Sequence, residues 1–386
     1  MNLSYKYEIK LSKVQREALE KVFHTCRFLY NNALEQRIYN YKNNKTYVSY
    51  LSQANELPEI KKFFEEEFSN IYAQTTQATL KILDKSFKSF FKRVKNKSSF
   101  AGFPRFKSKN SFKSITFPQC NMVTGGVKLL DKTGTSKKYR KIKVYGIETP
   151  IKIIYHRAFA GKCKTVQIKK EGHKYFIILS CTDVPLKHIP KTGKTAGIDL
   201  GLNNFITLDD GMKFYRPKTY KTSKEKLAYQ SQKLSAKQKD SNNRKKAIKS
   251  LQKTYFRINN IRKDFQHKLA NNLIRDNDVI IIEKLNISSM ILDKNKVAKN
   301  ENITDSSWGS FAALLKYKAE RANKSVIEVD PKNTSRTCSN CGFIKPQLDL
   351  CEREYKCQSC YFCIDRDKNA AINIKIRGLG TSLELS

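Results

Sequence analysis

"PKTGKTAGIDLGLNNFITLDDGMKFY", residues 190–215, changes the character of the chain. A short apolar run through Ile198 ends on Asp199, a polar turn follows around Leu202–Asn204, and a second run, "FITL", is closed by Asp-Asp-Gly. That pattern predicts a β-hairpin. Downstream, "DVIIIEKL" reads as a buried strand ending on Glu283, then an amphipathic helix around Trp308, Phe311, Leu314 and Leu315, then the strand "VIEV". Strands alternating with helices make this half α/β. Between the hairpin and the Glu283 strand, residues 218–276 read as a polar helical insert. The segment "DKNKVAKNEN" reads as a mobile loop.

Working towards the N-terminus, residues 114–188 carry short alternating or β-branched segments such as "IKIIYH" and "YFIILSCT", which predict an antiparallel sheet or barrel. "YKYEIKL" near the start is expected to join it, so the intervening helices form an insertion. Ser12 and Gln15 have capping-box spacing, and Leu19, Val22, Phe23, Cys26, Leu29, Tyr30, Ala33 and Leu34 repeat with helical period.

The 75 Lys and Arg outnumber 35 Asp and Glu, a net charge of +40 on 386 residues. Such a load repels itself unless a polyanion neutralises it, which points to nucleic acid. The alternative polyanion is a membrane surface. No apolar run approaches the ~18 residues of a spanning helix and the N-terminus has no signal-like core, so a soluble, cytoplasmic protein is expected. Two stretches are candidate phosphate contacts: Arg105, Lys107 and Lys109 among phenylalanines, and Arg244, Lys245, Lys246, Lys249 and Lys253 on a predicted helix short of acidic partners. The phenylalanines could equally close the barrel, leaving only the charges to solvent.

Cys338-x2-Cys341 and Cys357-x2-Cys360 present four thiolates to one tetrahedral ion, which is zinc-ribbon spacing. With no histidine after His267 the set is all cysteine, and a closed shell makes the Zn²⁺ structural. Cys351 and Cys363 read as free thiols; Cys26, Cys120, Cys163 and Cys181 read as small apolar residues or inert thiols. Asp199, Glu283 and the pair Asp365/Asp367 lie at strand ends and a helix start. Carboxylates entering one pocket need cations, and Mg²⁺ takes carboxylate oxygens together with substrate phosphate, two ions clamping a phosphodiester. In so basic a protein this points to a nuclease.

"GIDLG", "IIEKLNI", "TSRTCSNCG", "CQSC" and "DRDKNAAINI" occur in the order found in TnpB proteins, the RNA-guided endonucleases of insertion sequences, which are similar to compact type V CRISPR effectors and to Fanzor proteins. The chain resembles that family over 191–377, and more loosely earlier through "CRFLYNNAL" and "FPRFKSK". The resemblance implies a wedge-type β-barrel (1–10 and 114–190), a helical recognition lobe (11–113), a RuvC nuclease domain of RNase H-like fold (191–337 and 361–386) and a zinc ribbon (338–360). It further implies Asp199, Glu283 and Asp367 as the Mg²⁺-binding triad, and a transposon-derived guide RNA and double-stranded target DNA as partners. A monomer is expected. A nuclease-inactive, RNA-guided repressor and a DNA transposase are the alternatives. Tyr361, where glycine is usual after the fourth cysteine, and Cys363 depart from the family pattern.

If a helix begins near Asp367, then Asp367, Ala370, Ala371 and Ile374 share its packed face. Asp365, before the helix, is then expected to cap its first turn or pair with Arg366, while Asn369 and Asn373 serve as packing or hydrogen-bonding groups.

Overall fold

The computed structural model describes all residues except 98–99, 131–137, 218, 286–306, 350–351 and 384–386. The segment read as a mobile loop and Cys351 lie outside the described residues. The chain divides into two compact units, Met1–Pro185 and Leu186–Ser386.

In the first unit, alternation in β1 (Leu3–Lys10) turns Tyr5, Tyr7 and Ile9 into the core. The strand joins β2 (Ser114–Pro118), β3 (Val127–Leu129), β4 (Tyr139–Val144), β5 (Ile151–Ile154), β6 (Lys162–Glu171) and β7 (Lys174–Thr182). The antiparallel order is β2-β6-β7-β1-β5-β4-β3. Its two edges curl towards each other: the Cys120 thiol, just beyond β2, donates to the carbonyl of Val127 at 3.0 Å, and the Leu129 amide reaches Met122 O at 2.7 Å. The result is a nearly closed barrel, with fewer open ladder groups at its edges.

The helices fall between β1 and β2, as an insertion should: α1 (Lys13–Asn44), α2 (Tyr50–Asn55), α3 (Leu57–Phe63), α4 (Glu65–Phe68) and α5 (Ala73–Lys95). Both capping-box bonds of Ser12 and Gln15 are made, and all eight periodic residues of α1 are buried. Cys26, Cys120, Cys163 and Cys181 are all buried, and burial pushes the Cys26 thiol up to about 12. The Phe103–Phe112 stretch divides. Phe112 enters the core, while Phe103 and Phe106 stay exposed.

The second unit is built on a sheet of β8 (Thr195–Asp199), β9 (Ile206–Leu208), β10 (Lys213–Phe214), β11 (Val279–Glu283) and β12 (Ser325–Val329), in the order β10-β9-β8-β11-β12. β8, β11 and β12 run parallel; β9 and β10 are antiparallel. One face packs Ile198, Ile280 and Ile282 against Leu269, Leu273 and Ile274 of α7 (Asn242–Asp276) and Trp308, Phe311 and Leu315 of α8 (Trp308–Arg321). α6 (Thr219–Ser235) precedes α7. The other face receives α9 (Arg366–Leu383), whose Ile374 clusters with Ile281 and Val329. Before α9 comes a two-stranded ribbon, β13 (Glu354–Lys356) and β14 (Cys363–Asp365).

Candidate functional site

Strand periodicity decides where the acids point. Gly197 and Asp199 share a face of β8; Ile281 and Glu283 share a face of β11, and Ile281 packs against α9. Ile198 and Ile282 are register partners, so the next step brings Asp199 and Glu283 side by side at the ends of parallel strands, on the α9 face. α9 can lie that close because β8 carries glycine there: a Cβ on Gly197 would stand 2.2 Å from the carbonyl oxygen of Ala371. Ala370, Ala371 and Ile374 are buried along α9, and Asp367 sits one turn N-terminal on the same stripe. Lys375 fastens the helix to the hairpin through Asp209 at 2.6 Å.

The electrostatics are those of acids held together. Burial, then the charges of Glu283 and Asp367, push the Asp199 carboxyl well above the usual range. Burial also raises Glu283, against a hydrogen bond from Thr334 and the charge of Arg377. The Asn204 side-chain amide donates to Asp367 Oδ2 at 3.0 Å. The three carboxylates do not converge as tightly as the cysteines, whose four ligand atoms all lie within 4.8 Å of one another.

Asp365 is occupied otherwise. Its Oδ1 accepts from the amides of Asp367 and Lys368, both at 3.1 Å, which is the capping arrangement, and Lys213 meets its Oδ2 at 2.6 Å. Burial tends to raise this carboxyl, but Lys213 and the two amides hold it below the ordinary range. Lys213 takes the place that Arg366 was expected to fill. The Arg366 guanidinium instead donates to the carbonyls of Asp349 and Glu352. Asn369 and Asn373 are buried and hydrogen-bonded to the segment 334–339.

The thiols of Cys338 and Cys360 are 3.7 Å apart, and those of Cys341 and Cys357 3.6 Å. Tetrahedral Zn–S bonds of about 2.3 Å require sulfur separations of roughly 3.8 Å, so the four cysteines fit one Zn²⁺. The amides of Ser359 and Cys360 point at Cys357 Sγ, each at 3.4 Å. Donation from the Phe362 amide and the Asn340 side chain draws the Cys360 thiol down, while, against donation from the Phe343 backbone, the neighbouring thiols push that of Cys341 up. Tyr361 has φ 60°, the conformation for which glycine is the usual residue, and the residue is 86 % exposed. Cys363 is exposed.

Among the basic candidates, Arg105, Lys109, Lys245, Lys246, Lys249 and Lys253 are exposed and Lys107 is half-buried. Lys245, Lys249 and Lys253 follow one another at i, i+4 and i+8 on α7. Arg244 differs. Its guanidinium donates to the carbonyls of Leu234 and Lys237 at 3.0 and 2.8 Å, closing the end of α6.

A protein of Streptomyces pristinaespiralis named "Putative RNA-guided DNA endonuclease" is 30 % identical to this chain over 387 residues, spanning 98 % of the chain and 90 % of the relative. The chain belongs to the TnpB family. A second relative, "Putative RNA-guided DNA endonuclease InsQ" of Escherichia coli K12, is 27 % identical, covering 97 % of the chain and 92 % of that protein. Three family models match: the IS605 OrfB family, described as "Probable transposase", over 179–292; the Cas12f1-like TNB domain over 308–374; and a helix-turn-helix domain over 1–46. The last description does not fit this TnpB-family chain, where residues 1–46 hold one strand and one unbroken helix reaching Asn44. Two solved structures share its fold at TM-score 0.55. One is a Cas12f1–sgRNA–target DNA complex, 16 % identical and covering 94 % of the chain and 83 % of the structure. The other is a mini-RNA-guided endonuclease, CRISPR-Cas_phi3, 11 % identical and covering 98 % and 92 %.

Sequence reasoning passed over Asn204, Lys213 and Thr334, all within reach of the acids. Asn204 and Lys213 lie in the hairpin that carries Asp199, and Thr334 in "TSRTCSNCG", so the local motifs held a signal but no partner.

Proposed function

We propose that this protein is an RNA-guided, metal-dependent DNA endonuclease. Asp199, Glu283 and Asp367 hold the metal, and Cys338, Cys341, Cys357 and Cys360 hold a structural zinc. The observation that carries the reading is the convergence of three elements: β8 and β11 end in acids on one face, and α9 is packed on that face with Asp367 in its first turn. The sheet order, with β8, β9 and β10 antiparallel and β11 and β12 parallel to β8, supports reading this unit as an RNase H-like RuvC domain, for which we propose limits of 191–337 and 361–386 with an insert at 218–276 and a ribbon at 338–360. The barrel (1–10 and 114–190) and the helices of 11–113 then take the wedge and recognition roles.

Mg²⁺, when bound, supplies the charge that stabilises the oxygens of phosphodiester hydrolysis. The chain's own part is to hold three carboxylates in a partly dry site, with Asn204 orienting Asp367. Arg105, Lys107, Lys109, Lys245, Lys246, Lys249 and Lys253 supply phosphate contacts to guide RNA and target DNA. Arg244 braces the hairpin that presents the lysines.

The test is to purify the protein with its bound RNA, sequence that RNA, and assay cleavage of matching double-stranded DNA in Mg²⁺. One defined RNA species and Mg²⁺-dependent cutting are expected. Target binding without cutting would instead support a guided repressor, against which all three acids stand intact. The description "Probable transposase" of the matched family favours a second reading, strand transfer. Joining of donor ends to target DNA would establish it, and cleavage without joining would exclude it.

A further inference from the structure

The ribbon does more than sit between β12 and α9. Its leading segment touches the Glu283 carboxylate at Thr334: the hydroxyl donates to Glu283 Oε1 at 2.5 Å, with both residues buried. A hydroxyl carries one hydrogen, and here it has a second acceptor, the carbonyl of Pro331 at 3.0 Å. The carboxylate is the nearer and, when ionised, the stronger acceptor, so the hydrogen belongs on the Glu283 side. Engaging one carboxylate oxygen fixes the rotation of the whole group and thereby the direction of the other oxygen. Thr334 is itself held. Asn373 of α9 donates to its carbonyl at 2.9 Å and to that of Thr337 at 2.7 Å. Asn369 donates to Thr337 O at 2.7 Å and accepts from the Ser339 amide at 2.9 Å, one residue beyond Cys338.

We propose that Thr334 is a positioning residue for Glu283, held in place by Asn373, so that the helix carrying Asp367 also sets the geometry of the Glu283 carboxylate. The inference rests on the metal-dependent reading above and deepens it. Outer hydrogen bonds to metal-binding carboxylates are worth about 10–100-fold in affinity. Their loss is read in ion binding as well as in turnover.

The experiment compares Thr334→Val, Thr334→Ser and Asn373→Ala with wild type and Asp367→Ala, all as full-length, zinc-loaded protein freed of nucleic acid. Mn²⁺ affinity is measured by calorimetry, zinc content by elemental analysis, and folding by thermal melting. Thr334→Val is expected to weaken Mn²⁺ at least about 10-fold with zinc retained, Thr334→Ser to restore it to within about threefold, and Asn373→Ala to weaken it about threefold. Mn²⁺ affinity in Thr334→Val equal to wild type, or Thr334→Ser as weak as Thr334→Val, would overturn the proposal. If Thr334→Val sheds its zinc, Asn373→Ala decides: unchanged Mn²⁺ binding there sinks the idea. Asp367→Ala separates the two levels. If it too binds Mn²⁺ like wild type, the acidic metal site itself is wrong and the proposal falls with it, whereas a weakened Asp367→Ala beside an unaffected Thr334→Val defeats the positioning role alone.

Discussion

Both oxygens of Asp365 are engaged, one by the amides that open α9 and the other by Lys213, whereas Asp367 lies on the packed stripe of the helix and meets Asn204. Two residues apart, they have different partners. Asp365→Ala removes a cap worth about 0.5–2 kcal/mol, so it is expected to lower the melting temperature and leave measurable cleavage. Asp367→Ala should abolish cleavage at nearly unchanged stability; the reverse ranking at matched folding would show the ion to be on the other aspartate. Asp199 allows a test in which stability and activity move oppositely. A carboxyl raised by burial and like charge keeps its proton to higher pH in the folded chain than in the unfolded one. Folding therefore loses free energy as pH climbs from the usual carboxylate range of about 4 through the raised value. Asp199→Asn removes that loss. In metal-free protein the variant should melt a few degrees higher than wild type, about 2–4 °C per kcal/mol, with the gap widening from pH 5 to pH 8. A gap that shrinks as pH rises would mean the carboxyl is not strained by its neighbours. These side-chain pairings were the least legible part of the sequence. Lys213 and Asp365 lie 152 residues apart, and no local period encodes which lysine a capping aspartate will meet.

At the scale of elements the sequence was far more readable, because period and capping are local. The hairpin around Leu202–Asn204, the buried strand ending in Glu283, the box at Ser12 and the apolar stripe of α9 are all present. What it could not say is how two elements approach. Gly197 gave no sign of being the floor for α9, although the glycine of "GIDLG" is what lets the helix backbone lie on β8. In Gly197→Ala the new methyl meets a backbone carbonyl that cannot move alone, so the helix must lift at a cost of about 1–3 kcal/mol. Cleavage should fall at least about 10-fold with zinc content unchanged, since a displacement near 1 Å is enough to spoil a reacting geometry. Wild-type cleavage in this variant would mean that the close packing of α9 is not needed by the site. The ribbon is coupled to the same helix, because β14 runs into α9 without a loop. Cys357→Ser should shed zinc and lose cleavage that excess Mg²⁺ does not restore, as checked by elemental analysis beside the assay. Full activity without zinc would sever the ribbon from the site.

For the molecule as a whole, the charge of +40 is a statement about affinity for polyanions. Each phosphate contact contributes about 0.7–0.9 to the slope of log affinity against log salt. Replacing Lys245, Lys246, Lys249 and Lys253 together with Gln should lower that slope for RNA by about 3 while leaving the melting temperature within a few degrees, because all four side chains are exposed. An unchanged slope would show that this helix face does not meet the backbone. Arg244→Gln is expected to do the opposite, loosening the α6–α7 hairpin with little change in slope. Composition announced the polyanion but could not distinguish a brace from a contact, which depends on where the carbonyls of α6 fall.

The order of the elements along the chain has a further consequence in time. Asn204 and Asp367 join side chains across 163 residues of sequence. At synthesis rates of about 5–20 residues per second, the ribosome delivers the second roughly ten to thirty seconds after the first. During that interval the face of β8 destined for α9 has no helix to cover it, and the proposed triad is without Asp367. On the proposed triad, a translation product that stops short of α9 lacks Asp367 and is expected not to cut DNA.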